Sequence, residues 1–259
     1  MLDSSVLLTL VPPGLEPVAA ALLIFASFFT SAAMAALGVG GGLMMLSLMA
    51  SLMPIAALIP VHGMVQLGSN AGRAVVQRTH IRWGLLVPFL IGSVVGAVTG
   101  GMFVVTLNDA ILRLAIGLFI LYAVWGPKPN FSGAAKTALL SIGGLISTFL
   151  TMFFGATGPF AMAIAQPLID QRQALVGTHA AMMTIQHILK LVVFGALGFA
   201  FGPWLPFVAA MIATGFLGTL LGLRLLAMMP EQTFRTIFKW AITILALDLI
   251  RRGVTALMV

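Results

Sequence analysis

Cysteine is absent from these 259 residues, and charge is nearly so: thirteen Lys and Arg, six Asp and Glu. Without thiols there can be no disulfide, no thiolate metal site and no thiol relay. Charged residues are 7% of the chain, where a soluble domain has about a quarter. Hydrophobic residues make up 61%, and mean hydropathy is +1.14. The chain reads as an all-α polytopic membrane protein whose first partner is the lipid bilayer. Acid is also missing from any interior path. Asp109 and Glu231 fall in turns, Asp170 closes a short segment, and Asp248 lies near the end of the last one. Cation conduction wants carboxylates along its route, so the interior suits an anion. The +7 net charge does not indicate nucleic acid, because no basic patch with interleaved aromatics stands outside the apolar segments. Met1–Pro17 has no basic start and contains Asp3 and Glu16, which does not read as a secretory signal. The sixteen methionines are read as adaptable packing rather than as metal ligands, and no cofactor is expected.

What is present is repetition. Apolar segments lie near 18–37, 43–53, 55–77, 84–105 and 110–126, then near 136–154, 159–169, 172–199, 204–227 and 234–250. Residues 38–76 align without a gap on 155–193, with eight of thirty-nine positions identical. Later parts match with the offset widened from 117 to 122, so that Gly96 meets Gly218 and Arg113 meets Arg235. About ten helical segments thus form two five-segment repeats. An odd number of crossings per repeat makes the two inverted. The whole of 1–259 is expected to be one membrane transport domain: repeat one about 18–126, a linker at 127–135, and repeat two about 136–250. Basic residues around Arg73–Arg82, Lys128–Lys136 and Arg224–Lys239 place those turns in the cytoplasm and both termini outside. Arg251 and Arg252 fit that topology poorly.

Two segments are too short. At about 1.5 Å per residue, 43–53 and 159–169 cover roughly half of a hydrocarbon core about 30 Å thick. Each follows a break, Gly38-Val-Gly-Gly-Gly42 and Gly155-Ala-Thr-Gly-Pro159. A short, broken helix in corresponding places of two halves points to a transporter binding site, where helix N-termini face an anion. Gly40, Gly41 and Gly42, with Ala156, Thr157 and Gly158, are therefore candidate ligand-lining positions. Close helix packing is the alternative for such glycines, and it is the preferred reading for Gly92, Gly96, Gly100 and Gly218.

The helix after each break carries a polar stripe. His62, Gln66, Ser69, Asn70 and Arg73 lie at relative positions 0, 4, 7, 8 and 11, one helical face. Their counterparts are His179, Met183, Gln186, His187 and Lys190, four of five again polar. The expectation is that both stripes converge on one small anion in mid-bilayer. The alternative is that each histidine only joins two helices. For Lys190, substrate attraction and snorkelling toward the interface both stay open.

At these residues the chain resembles the TauE/SafE family of sulfite and organosulfonate exporters. The resemblance rests on Gly38–Gly42, Val61-His62 through Arg73, Ile81-Arg82-Trp83, the glycine-spaced helix 92–100, and Gly177-Thr178-His179 with Lys190. It covers about 18–250, and it adds Thr178 to the candidate site. The second break is poorer in glycine than the family pattern, and Thr157 puts a hydroxyl there. The resemblance implies a multi-pass protein of the bacterial cytoplasmic membrane that exports sulfite or an organosulfonate such as sulfoacetate. Alternating access is the inferred mechanism, with proton coupling through His62 and His179 as a hypothesis and a homo-oligomer left open. An anion channel and an intramembrane enzyme are the rivals. The sequence has neither a Gly-x-Ser-Gly-like nucleophile nor His-Glu-x-x-His.

Overall fold

The computed structural model describes residues 10–37, 40–104, 108–127, 135–226 and 231–258. The described residues form ten α-helices and no strand. They are α1 (Pro17–Leu37), α2 (Gly41–Leu52), α3 (Ile55–Val76), α4 (Trp83–Val104), α5 (Asp109–Trp125), α6 (Lys136–Phe154), α7 (Gly158–Ala165), α8 (Arg172–Ala196), α9 (Leu205–Leu226) and α10 (Glu231–Met258). All ten expected segments are helical. The second short segment ends earlier than its apolar run, at Ala165, because Pro167 tightens residues 166–168 into a 3-10 turn. Five helices, α1, α4, α6, α8 and α9, are long and apolar enough to cross a membrane. Gly38 and Val39 of the first break, the linker residues 128–134 with Lys128, and Pro230 lie outside the described residues.

Two compact units emerge, and neither follows the order of the sequence. The first contains α1, α2, the start of α3, α5, α9 and α10. The second contains the end of α3, then α4, α6, α7 and α8. Each unit therefore draws helices from both sequence repeats. Their charges differ sharply. The first unit holds six Lys and Arg against five acids, whereas the second holds seven against Asp170 alone.

In the second unit, α4 packs against α6 through small residues. A Cβ at Gly92 would strike the carbonyl of Ser141, and one at Gly96 that of Leu145. From the other side, a Cβ at Gly144 would strike the carbonyl of Phe89. Close approach of two backbones is what these glycines supply. Phe89, Leu140, Ile164 and Met182 fill the core beneath.

In the first unit, α9 packs against α1 in the same register. A Cβ at Gly218 would meet the carbonyl of Phe28. Thr214 donates to Ile24 O at 2.9 Å, and Ser27 donates to Met211 O at 2.6 Å. These three contacts are the counterparts, at offsets of 117 and 122, of the three in the other unit. Twice a glycine has become a hydroxyl that bonds the same carbonyl.

The first unit also explains Arg251 and Arg252. Both pair with Asp248, at 2.7 Å each. Arg252 further donates to Ser51 O at 3.2 Å, and Arg113 approaches Ala50 O at 3.5 Å. Those carbonyls end α2, where the helix dipole favours a cation. At the far end of α10, Trp125 donates to Thr243 Oγ1, stacks edge-on with Trp240 and carries Lys239 Nζ 3.6 Å from its ring centroid.

Candidate functional site

The expected site residues fall into three groups, one in the first unit and two in the second. In the first unit, α2 begins at a backbone turn that only glycine adopts freely: Gly40 has φ +100°. Gly41 sits so close to α1 that a Cβ would meet Thr30 O and Met34. Gly42 offers its carbonyl to His62 Nε2 at 3.0 Å, and His62 is fully buried.

The second group is the end of α3. Asn70 Nδ2 donates to Gln66 O at 2.8 Å, and Arg73 Nη2 donates to Asn70 Oδ1 at 2.7 Å. Gln66 and Asn70 are buried, while Ser69 and Arg73 are half-buried.

The third group surrounds the break between α6 and α7. Gly155 ends α6 with φ +74°, a left-handed cap that satisfies the helix through Gly155 N–H to Thr151 O. Its carbonyl accepts two bonds, from Thr151 Oγ1 at 3.1 Å and from Lys190 Nζ at 2.9 Å. Ala156 is buried beside it. Thr157 is the N-cap of α7, yet its hydroxyl does not cap; it donates to Gln186 Oε1 at 3.3 Å instead. Gln186 Nε2 donates to Ser147 Oγ, and Ser147 Oγ donates to Thr157 Oγ1 at 3.4 Å. The three side chains close a ring of hydrogen bonds. The second hydrogen of Gln186 Nε2 goes to Thr148 Oγ1 at 3.0 Å. All of these side chains are fully buried, including Lys190 at 0% exposure.

His179 repeats the arrangement of His62, with Nε2 3.0 Å from Gly158 O. A carbonyl only accepts, so this nitrogen carries the hydrogen. The interhelical alternative thus describes both histidines in this conformation. Thr178, next in sequence, points elsewhere and accepts the backbone N–H of Arg82 at 3.0 Å. His187 is buried one turn before Lys190.

The sequence reading overlooked α6. Ser147, Thr148 and Thr151 share a face one turn apart at the end that enters the break, and that spacing was the available signal. Lys190, left open between two roles, does not snorkel: its ammonium lies in the interior on a backbone carbonyl. Among the described residues no cluster of His and acid has the makings of a metal site.

Each short helix thus has a buried histidine on a carbonyl of its first turn, and Lys190 is buried beside the second break. A family model described as Sulfite exporter TauE/SafE matches residues 23–249. The chain belongs to the TauE/SafE family. Nearly all of this TauE/SafE protein is covered by the match, which makes it a multi-pass membrane permease of a transporter family rather than an enzyme family. No curated protein and no solved structure matches the chain.

Proposed function

We propose that this TauE/SafE protein is a secondary transporter that exports sulfite or a small organosulfonate, such as sulfoacetate, across the bacterial cytoplasmic membrane. The observation that carries this reading is Lys190. A fully buried ammonium has a single acceptor among the described residues, in a unit whose one acid is Asp170. Eighteen residues of helix, about 27 Å, separate it from the start of α8 next to that acid. A lone charge in such a place is costly, and an anionic substrate is what relieves it. Hydroxyl and amide groups of Ser147, Thr148, Thr157 and Gln186 lie at the same break, bonded to one another, and are the types of group that can turn to an oxyanion.

Alternating access by two inverted repeats is the mechanism we infer. Its support is reciprocity: where a position in α4 meets a carbonyl in α6, the matching position in α9 meets the matching carbonyl in α1. Corresponding contacts of this kind support two related halves in the chain.

The test is transport by the purified protein in vesicles. Saturable efflux of sulfite or sulfoacetate, weakened in His62→Ala, Gln66→Ala and His179→Ala while membrane insertion is retained, is the expected result. Unitary current steps in a planar bilayer would favour a channel. Normal flux in all three variants would remove the proposed site.

A further inference from the structure

Lys190 also bears on what travels with the anion, granted the exporter reading. Consider which charges surround its ammonium. Helices α4 and α7 carry no ionisable residue, and α6 has only Lys136 at its opposite end. The end of α3 brings Arg73, the segment after it brings Arg78, His80 and Arg82 near the start of α8, and α8 itself brings Arg172, His179 and His187. Every one of these is a cation or a base. Among the described residues the protein supplies one acceptor for three N–H donors and no counter-charge. An isolated buried ammonium is destabilised by several kcal/mol unless an anion joins it or a proton leaves it.

We propose that Lys190 binds the proton that accompanies the substrate. The free amine keeps its hydrogen bond to Gly155 O and stays neutral. When a sulfonate arrives, the amine takes one proton from water on the loading side, and the resulting ammonium pairs with the anion. On the opposite side both leave: the N–H bond breaks, the proton returns to water, and the amine is restored. One sulfonate and one proton cross as a neutral pair. The histidines are poorer carriers of this proton, since the Nε2–H of each is engaged by a break carbonyl.

Isethionate is the probe, because a sulfonate remains a monoanion across the pH range tested. The full-length protein is reconstituted in vesicles with a lumenal pH dye, and the membrane potential is set with potassium and valinomycin. Wild-type isethionate flux should acidify the receiving side and be indifferent to the potential. Its apparent affinity should fall toward about tenfold per pH unit as the medium becomes alkaline. Lys190→Arg holds a permanent charge, so it should bind isethionate with no proton uptake and with a flat pH profile. Calorimetry in two buffers of different ionisation enthalpy counts the protons directly, one per anion for wild type and none for the arginine variant. Potential-driven wild-type flux without proton movement would overturn the proposal and leave the exporter reading intact. Absence of any sulfonate flux from folded protein would overturn both.

Discussion

The two short helices are entered by different means. At Gly40 the turn is a property of the backbone: a positive φ, then Gly41 pressed against α1 where no side chain fits. At Gly155 the turn again uses a positive φ, but six side chains from α6, the break and α8 bond across it. Aligned positions show the exchange: Gly40 faces Thr157 in the alignment, Ser69 faces Gln186, and Arg73 faces Lys190. Among the described residues, the first break is lined by glycine where the second is lined by polar side chains. Each keeps one common element, a histidine bonded to a carbonyl in the first turn of the short helix.

That contrast can be broken by substitution. The largest effect is expected at Lys190. Lys190→Met removes a charged contact worth about 2–3 kcal/mol, which corresponds to roughly a hundredfold loss of sulfonate flux. Flux near the wild-type value in vesicles would make the second break as inert as a packing joint. Next come Gly96→Leu and Gly218→Leu, which force a side chain into a backbone carbonyl on the facing helix. Overpacking should cost each about 1–3 kcal/mol or more, read as lost monodisperse protein in detergent. Because the contacts correspond, the losses should be equal; a large inequality would weaken the repeat relation.

Smaller effects separate the breaks themselves. Gln186→Leu leaves three buried hydroxyls without their hub and should destabilise by about 1–3 kcal/mol, seen as a lower melting temperature. Gly40→Ala strains the first break by about 1–2 kcal/mol through its backbone alone. The alanine variant at Gly40 should leave the melting temperature only slightly lower but disturb transport. Least of all, Arg252→Ala loses an exposed contact and should shift stability within about 1 kcal/mol. A drop as large as that of Gln186→Leu would mean that the α2 carbonyls depend on this cation.

Much of this was legible in the residues, and the reasons are local. A stripe at 0, 4, 7, 8 and 11 fits a helix with one polar face, and α3 has all of it and α8 all but position 4, which is Met183. Breaks announced themselves through glycine followed by a run too short to span. The hydroxyls of α6 gave only their spacing as a signal, a weak one, because a Ser or Thr in a membrane helix commonly bonds its own preceding turn. Ser47 to Leu43 O and Thr184 to Ala180 O do so here. Ser147 and Thr148 look no different in sequence, and only the arrival of Gln186 from α8 distinguishes them. Arg252 likewise seemed misplaced until the end of α2 came within its reach. The interleaving of helices from both repeats into each unit is a matter of long-range pairing, which the periodicity of one segment does not report.

A ring of three side chains can be altered one member at a time, and each change leaves the other two to hold the chain in place. A bend written in bare backbone has no such freedom. Divergence in cargo preference among descendants of this protein should therefore accumulate around Ser147, Thr157 and Gln186, while Gly40 and Gly41 stay frozen.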